Sequence, residues 1–414
     1  MLGVRRRPAR GGVVLAFLLA SYGAFEACAP AEVPPAVAVP GGELTTAPDA
    51  TIADDGRGDG SSGRDGGAPD AEDAADDTGS GTPPLDAGQD ASPPLVGPWP
   101  GPDVVTIVDD EKAFGKNVSG LVYVPAAGGA PARMWVVQNE PSTLFRLTWS
   151  GTSWTFDAAG GWPAPRALRF PDGTGAPDAE EITVTDPSSS NVYVASEKDG
   201  FAPARPSILL YDTSAPGDTL VAVREWQLGS DLPTVTSNGS LESITFLPDA
   251  YLVARRFRDE RLGKIYSPAD YPNHAGGLFM VGIEETGVLV VYALDHVGGG
   301  FHRVATADSG LAKIMSLTYD RDVGSVWAAC DNTCAGDLRV LDIDPNAAST
   351  TFGRFVLRAS LSRPLSMDNL NNEGITFAPE SECVGGMKDF YWADDGEKSG
   401  HVIRRDAIPC GRFY

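Results

Sequence analysis

The sequence predicts an all-β domain of the β-propeller class, and three observations support this. From residue 99 onward, aromatic and β-branched residues occur in short runs separated by Gly, Pro, Asp and Asn, with almost no helical periodicity. A two-strand unit recurs five times, at intervals of 58 to 73 residues. Such a unit cannot bury both of its faces alone, so it must stack on its neighbours, and radial stacking of small sheets produces a propeller.

The two strands of the unit recur together, at a similar spacing in each repeat. The first strand is predicted at residues 119–124, 180–184, 242–246, 315–319 and 373–377, and three of these five segments begin with Glu. The second strand is predicted at residues 135–139, 193–197, 252–256, 327–331 and 391–395. Further strands are predicted within the second, third and fourth repeats and bring each of them to four strands. They lie at residues 208–212, 223–226, 277–281, 288–292, 338–342 and 355–357.

The repeat count favours five blades, with six as the alternative and a sandwich or two smaller β domains as the competing architectures. The last repeat ends one strand short, after residues 402–403, while residues 104–108 form a spare strand before the first repeat. We therefore expect the N-terminal strand to complete the last blade and close the ring, which removes an open sheet edge.

The first 27 residues have the pattern of a signal peptide. Arg5, Arg6, Arg7 and Arg10 precede an apolar run that is too short to span a bilayer stably. Residues 25–28 then resemble the lipobox of bacterial lipoproteins, with Ala27 before Cys28. The pattern predicts export, lipidation of Cys28 and a place in the cell envelope, periplasmic or on the outer-membrane surface. Cleavage nearby without lipidation is the alternative.

Residues 28–98 are predicted to be a disordered acidic linker, and residues 99–414 the propeller domain. From Ala29 to Pro98 there is no aromatic residue, so the segment cannot bury enough apolar surface to offset chain entropy. It carries 14 acidic and 2 basic residues, and its net charge of −12 is half of the formal net charge of −24. This charge argues against nucleic acid as a partner and against membrane contact other than through the lipid anchor. We expect a monomer.

Cysteine usage agrees with an oxidising compartment. Beside Cys28, four cysteines remain, which is enough for two disulfides. Pairing of Cys330 with Cys334 and of Cys383 with Cys410 is favoured among the three connectivities because each pair falls within one repeat. A zinc site is the competing interpretation, although neither spacing is C-x-x-C and no histidine lies beside these cysteines.

The repeat also predicts an acidic site at one mouth of the central channel. Because the two repeat strands form an antiparallel hairpin, the start of the first and the end of the second lie at the same end of the sheet. Glu180, Glu242, Glu373 and Asn372 are the candidate metal ligands there, and carboxylate and amide oxygens suit Ca²⁺. Asn139, Asp331, Asp394, Arg255 and Arg256 are the candidate ligand-binding residues around them.

Two alternatives to a metal site remain open from the residues. Each Glu could instead cap backbone N–H groups or face solvent, with the same structural task in every blade. The arginines of the third repeat could recognise phosphate or carboxylate groups, or could only neutralise the acidic ring.

The segment from Asn371 to Pro379, followed by residues 390–395, resembles the blades of phytase-like esterase and SdiA-regulated propeller proteins. It is also similar, more distantly, to the gluconolactonase and regucalcin group. The resemblance implies a central site that can depend on Ca²⁺, with Glu373 as a metal ligand, and hydrolysis of an ester. The chain departs from the lactonase motif in having Ile375 where that motif has Pro, and Ser119 and Met315 stand where other repeats have Glu.

Together these observations predict an exported envelope lipoprotein whose propeller binds a small anionic ligand or an envelope protein, with Ca²⁺ at the channel mouth. The alternative is a Ca²⁺-dependent hydrolase of a phosphoester, ester or lactone, with Glu197 or Asp395 as the base.

Overall fold

The computed structural model describes residues 93–200, 204–236 and 238–414. The predicted signal peptide, the lipidation at Cys28 and all of the linker before residue 93 lie outside the described residues and stay predictions. Within the described ranges, no helix is long and apolar enough to cross a membrane.

The described part of the chain is built almost entirely of strands. Two short strands come first, β1 (Leu95–Pro98) and β2 (Thr106–Ile107). The first blade contains β3 (Val118–Val124), β4 (Arg133–Gln138), β5 (Thr143–Trp149), β6 (Trp154–Phe156) and β7 (Arg166–Arg169). The second contains β8 (Pro177–Thr183), β9 (Asn191–Asp199), β10 (Ala204–Asp212) and β12 (Arg224–Gln227), while the intervening β11 (Thr219–Val221) pairs with β7 of the first blade.

The third blade is interrupted by an insertion. It contains β13 (Leu241–Pro248), β16 (Gly277–Ile283), β17 (Val288–Leu294) and β18 (Phe301–Asp308). Between β13 and β16 lie the helix α1 (Asp249–Ala254) and a small hairpin of β14 (Arg258–Asp259) and β15 (Lys264–Ile265). The fourth blade contains β19 (Ser316–Asp320), β20 (Ser325–Ala329), β21 (Leu338–Ile343) and β22 (Phe355–Ser362), and the fifth β23 (Asn372–Phe377), β24 (Met387–Asp394) and β25 (Ile403–Pro409). Five 3-10 helices lie at Pro268–Asp270, Glu284–Thr286, Asn332–Cys334, Glu380–Glu382 and Lys398–Gly400.

The five sheets form a closed ring, which confirms the predicted five-bladed β-propeller. The innermost strand of each blade contacts the innermost strands of both neighbouring blades: β3 contacts β8 and β23, β8 contacts β13, β13 contacts β19, and β19 contacts β23. The buried apolar residues form five clusters, one between each pair of adjacent blades. We call the end at which these inner strands begin the upper face, and the opposite end the lower face.

The ring is closed by an N-terminal strand, as predicted. β2 pairs antiparallel with β25 at the outer edge of the fifth blade, with Thr106 opposite Arg405. β1 was not predicted: it adds a parallel fifth strand to the outer edge of the fourth blade, beside β22. The folded part therefore begins before residue 99, since Leu95–Pro98 had been assigned to the linker. Trp99, packed edge-on against Phe390 and Trp392, connects these two blades.

One strand prediction is wrong. Residues 252–256 were expected to be the second strand of the third blade, but Asp249–Ala254 form α1, which buries Tyr251 and Leu252. Pro248 directly precedes the helix and Asp249 lies in its first turn, both of which are helix-start signals that the repeat alignment overrode. The true second strand is β16, residues of which had been expected to form the third strand.

Both predicted disulfides are present. Cys330 and Cys334 are bonded at the upper face, and Cys383 and Cys410 at the lower face, with Cα atoms 6.0 and 6.3 Å apart. The bonded sulfurs cannot serve as zinc ligands, so the competing zinc interpretation is wrong.

A buried carboxylate at the lower face connects three parts of the chain. Asp342 of β21 accepts hydrogen bonds from the Tyr251 hydroxyl (3.0 Å) and from Arg412 Nη1 (2.5 Å), and lies 3.3 Å from Arg255 Nη2. The Asp342 side chain is only 2% exposed. It therefore ties the third-blade insertion and the residues after β25 to the fourth blade.

Replacing Asp342 with Ala should lower the free energy of unfolding by about 3 kcal/mol. Removing one partner of a buried ion pair leaves the other charges without compensation, and the partial exposure of both arginines puts the cost at the low end of the usual range. Urea unfolding followed by tryptophan fluorescence measures this. Asp368→Ala, which breaks the exposed pair with Lys398, is the matched control and should leave the midpoint nearly unchanged. Equal midpoints for the two variants would contradict the role given to Asp342.

Candidate functional site at the upper channel mouth

A repeated backbone irregularity lies near the start of four of the five inner strands, at the residue that faces the channel mouth. In β3, β8, β13 and β23 the pairing register shifts at the same point of the strand. The residues at these shifts are Ser119, Glu180, Glu242 and Glu373, and Met315 precedes β19 at the corresponding place. β-Bulges of this kind re-aim side chains and are frequent beside active sites. The register shift therefore explains how the repeat directs three carboxylates to one axis.

Glu180, Glu242 and Glu373 meet above the channel. One carboxylate oxygen of each lies within 4.8 Å of the others, and all three side chains are buried. Glu373 Oε1 accepts a hydrogen bond from Asn371 (3.0 Å). The Ser119 hydroxyl is the polar neighbour that lowers the pKa of Glu373, although no well-aligned hydrogen bond joins it to Glu373 Oε2. Glu180 accepts one long bond from Asn139 (3.3 Å). We call these three residues the glutamate triad.

Burial and mutual repulsion work against ionisation of the glutamate triad. Burial is the largest cause that raises the pKa of Glu180, Glu242 and Glu373 well above the usual value for glutamate, and the neighbouring carboxylates raise it further. A cation bound among them would reverse this balance, because it favours the charged form of every ligand.

A second layer of acids surrounds the triad, and each is paired with a cation or a backbone donor. Lys198 lies 2.8 Å from Asp178 and 3.8 Å from Glu197, and Lys313 lies 2.6 Å from Glu284. The Ser240 N–H donates to Glu197 (2.5 Å). Burial, the first cause, raises the pKa of Glu197 to about 7. Asp178, Glu197 and Glu284 thus each have a cation of the chain within ion-pair distance, whereas no ion pair of the described residues reaches the triad.

The mouth opens into a cavity of about 840 Å³. Its charged lining consists of seven acids and one lysine: Glu140, Asp178, Glu180, Glu242, Glu284, Glu373, Asp395 and Lys198. Asn117, Asn139, Ser142 and Asn238 add uncharged polar groups. Asp395 is held by Asn371 (2.9 Å), and its pKa is raised mainly by burial.

Several residues predicted for the site lie elsewhere or have structural partners. Asn372 lines a different, smaller cavity beside Trp99 and Trp392. Asp394 is paired with Arg404 (3.2 Å), and Asp331 caps the 3-10 helix that follows it by accepting from Thr333 N–H (2.9 Å).

The expectation that Arg255 and Arg256 lie at the acidic mouth is wrong. Because they follow α1 rather than a second blade strand, they lie at the lower face, where Arg255 pairs with Asp342 and Arg256 stacks over Phe352.

Sequence reasoning missed Glu181, which crosses the channel directly below the triad. Its Oε1 accepts from the N–H groups of Leu121 (3.1 Å) and Ile182 (3.2 Å), and its Oε2 is hydrogen-bonded to the Ser316 hydroxyl. These partners belong to the first, second and fourth blades, so the side chain spans the ring. Its place in the other four strands is taken by small residues: Gly120, Ser243, Ser316 and Gly374. A Cβ at Gly120 would lie 2.6 Å from Glu181 Oε1, so the small residue makes room for this carboxyl.

The raised carboxyl pKa values predict an inverted pH dependence of stability without metal. The folded state binds protons on these groups more tightly than the unfolded chain, so stability should fall as the pH rises above the unfolded-state pKa of about 4.3, by up to about 1.4 kcal/mol per pH unit for each group titrating. Melting in a chelator at several pH values measures this slope. The double variant Glu180→Gln/Glu242→Gln should flatten it. A Tm that rises across this window would contradict the prediction.

Fold and site together define a five-bladed β-propeller with an acidic, oxygen-lined site at one mouth of its channel. No protein-family model matches the sequence, and no curated protein matches it.

Solved structures show a distant likeness. One is a putative oxidoreductase (glucose dehydrogenase) from Thermus thermophilus, with 13% identity, a TM-score of 0.38, and coverage of 74% of this chain and 99% of that one. Another is the PQQ-bound aldose sugar dehydrogenase from Streptomyces coelicolor, with 15% identity, a TM-score of 0.36, and coverage of 74% and 99%. A third is a protein of unknown function from Bacteroides thetaiotaomicron, with 11% identity, a TM-score of 0.35, and coverage of 73% and 75%. Likenesses this distant do not bear on the chemistry of the site.

Proposed function

We propose that this chain is an exported, lipid-anchored envelope protein whose propeller binds Ca²⁺ through the glutamate triad and takes a ligand in the cavity above it. The observation that carries the metal proposal is the convergence of three buried carboxylates, those of Glu180, Glu242 and Glu373, with one oxygen of each within 4.8 Å of the others and no ion pair to a cation of the described residues. Unpaired buried charges are costly unless they coordinate a metal or are neutralised.

The donor set favours calcium over softer metals. Carboxylate and amide oxygens with room for water suit Ca²⁺, which accepts six to eight oxygen ligands in flexible geometry. Glu180, Glu242 and Glu373 would hold the ion directly. Asn139 and Asn371 would orient two of these carboxylates through the hydrogen bonds they already donate. Bound calcium would supply positive charge at the base of an otherwise negative cavity.

Calorimetric titration of metal-free protein with CaCl₂, alongside melting with and without chelator, tests the proposal. We expect binding heat with one ion per chain and a rise in Tm that chelator reverses, since a ligand of the native state stabilises it by mass action. MgCl₂ should give a smaller shift, because Mg²⁺ demands stricter octahedral geometry. If millimolar calcium produces no binding heat and no shift in Tm, the proposal is wrong.

The cavity also constrains the ligand. The arginines that suggested an anionic ligand lie at the lower face, and the cavity itself is lined by seven acids and one lysine. An anionic group could therefore bind only in contact with the calcium ion, whereas neutral polar groups could use Asn117, Asn139 and Asn238. This argues for a ligand that presents one anionic or carbonyl oxygen to the ion and hydroxyl or amide groups to the wall.

A second candidate function, calcium-dependent hydrolysis of an ester, lactone or phosphoester, is favoured by Asp395. This carboxyl lines the cavity, is oriented by Asn371 and has a raised pKa, as a general base requires. Glu197, the other candidate base, is buried and bonded to Ser240, so it fits the role less well. Turnover of a panel of such substrates that is lost in chelator and in Asp395→Asn would support hydrolysis. If no substrate of the panel is turned over, hydrolysis is excluded for these substrate classes and only the binding function remains.

A further inference from the structure

A pocket at the lower face, between the first and second blades, is lined by two arginines and no acid. Its volume is about 190 Å³. Arg133 begins β4 at this face, and Arg146 lies opposite Trp135 in the neighbouring strand β5. The loops that follow β8 and β10 close the other side. The lining residues, which we call the arginine pocket, are Arg133, Trp135, Arg146, Ser188, Ser189, Ser190, Thr213 and Ser214.

Arg133 has no acidic partner in the pocket. Its Nη2 donates to the Pro187 carbonyl (2.7 Å), while its Nε is buried without a hydrogen-bond partner among the described residues. Arg146, the other arginine of the pocket, is paired with Asp157 (2.9 Å). No carboxylate of the described ranges lies within ion-pair distance of Arg133, and Asp157 is the one acid whose charge favours its ionised form. One of the two positive charges is therefore left without compensation.

A third arginine adds to the positive charge beside the pocket. Arg166 donates to the carbonyl oxygens of Thr213 (3.4 Å) and Ala215 (2.7 Å), and no carboxylate of the described residues lies within ion-pair distance of it. Burial lowers the pKa of both Arg133 and Arg166, and the neighbouring charge of Arg146 lowers it further. Three guanidinium groups that repel one another, with one carboxylate among them, favour the binding of an anion.

Two aspartates in the adjoining loops are held in turns of their own. Asp186 accepts hydrogen bonds from the N–H and the hydroxyl of Ser188 (both 2.8 Å), and Asp212 accepts them from the N–H and the hydroxyl of Ser214 (2.9 and 2.7 Å). Neither carboxylate lines the pocket. Ser189 Oγ accepts from the backbone N–H two residues further on (3.0 Å), so its hydroxyl proton is available to a ligand. The pocket thus offers donors rather than acceptors.

We propose that the arginine pocket is a second binding site, which takes a phosphate or sulfate group. Guanidinium groups bind such oxyanions through paired N–H donors. Donors on Arg133, Arg146 and Ser189 reach the pocket from two blades, which suits a tetrahedral group with several acceptor oxygens better than a planar carboxylate. Water alone would satisfy the hydrogen bonds but would leave the positive charge uncompensated. The site lies at the opposite face from the glutamate triad and requires no metal.

Titration calorimetry and melting of the full chain with sodium phosphate and with sodium sulfate test this proposal. Chelator is present throughout, so the result does not depend on calcium at the triad, and NaCl holds the ionic strength constant. We expect binding heat and a rise in Tm with millimolar oxyanion, since a ligand of the native state stabilises it. Both effects should weaken as the NaCl concentration is raised, because salt screens the charges.

Vesicles distinguish a soluble oxyanion from a lipid headgroup of the same chemistry. The full chain carrying Cys28→Ser, which cannot be lipidated, is sedimented with phosphatidylcholine vesicles that contain phosphatidic acid or lack it. Binding only to the vesicles with phosphatidic acid identifies a lipid phosphate as the ligand, and binding only to free phosphate or sulfate identifies a soluble one.

Arg133→Met should weaken oxyanion binding at least about tenfold, because it removes a charged donor. It should change the oxyanion-free Tm little, since it also removes an uncompensated charge, whereas loss of a purely structural arginine would lower that Tm. Arg133→Lys keeps the charge without the paired donors and should bind with intermediate affinity. Arg354→Met, which removes an exposed arginine of the same face paired with Glu260, is the matched control and should bind like the wild type. If neither oxyanion nor phosphatidic acid binds, or if Arg133→Met binds as tightly as the wild type, the proposal is wrong.

Discussion

Glu373→Gln should lower calcium affinity at least about 100-fold, which corresponds to about 2.7 kcal/mol of binding free energy. The substitution removes one of three directly coordinating carboxylates and keeps the shape of the side chain. The same variant should be more stable than the wild type in chelator, because it removes a carboxyl that burial and three neighbouring acids destabilise. Loss of the metal response together with a gain in metal-free Tm is a combination that a purely structural glutamate would not produce.

Glu242→Gln should behave in the same way, because no hydrogen bond from the described residues holds this carboxylate in place. Glu111→Gln, an exposed glutamate beside Lys112, is the control and should change neither quantity. Titration calorimetry measures the calcium affinity of the three variants, and melting in chelator measures their metal-free Tm. A Glu373→Gln variant that binds calcium like the wild type would show that the triad is not the metal site, whatever else the cavity binds.

Glu181→Ala should be strongly destabilising, by about 3 kcal/mol or more. It leaves the N–H groups of Leu121 and Ile182 and the Ser316 hydroxyl without their partner, and each buried group left unpaired costs about 1–3 kcal/mol. Water entering from the mouth would satisfy some of these groups, which places the expected loss at the low end of the sum. Denaturant unfolding in chelator measures the effect without interference from metal.

Glu181→Gln tests whether the Glu181 carboxyl stabilises the fold through its hydrogen bonds or through its charge. Burial raises the pKa of Glu181 well above the usual value for glutamate, which favours the neutral form, and an amide of the same shape tests whether the charge of the carboxylate is needed. Its oxygen can accept from both N–H groups, and its NH₂ group can donate to the Ser316 oxygen. We expect Gln to retain most of the stability that Ala loses. If Gln is as damaging as Ala, the carboxyl is needed in its charged form, and the interpretation of Glu181 as a neutral bridge is wrong.

The repeat made the ring and the triad predictable from sequence. The Glu at the start of three inner strands marked both the blade period and the side chains that meet at the axis, because corresponding positions in a propeller must lie on a common circle. The same pattern misled at residues 252–256, where the resemblance to a second strand outweighed the helix signals after Pro248. Arg255 and Arg256 were carried to the wrong face by that single misassignment.

The residues that were missed act through contacts between blades, which a one-dimensional pattern does not contain. Glu181 stands next to Glu180 in the chain, but its role depends on Ser316, 135 residues away. The only sequence signal was the series of small residues at its equivalent position in the other four strands. Lys198 and Lys313 pair with acids whose distance could not be known before the sheets were placed.

The pairing of β2 with β25 has a consequence for how the domain is made. Thr106 finds Arg405 only after about 300 intervening residues have left the ribosome, so the ring stays open throughout most of synthesis. Such distant pairing also slows folding, because the chain must lose the entropy of closing its longest loop before the contacts between β2 and β25 can form. A late-closing ring of this kind suits a protein that is threaded through a membrane pore before it folds.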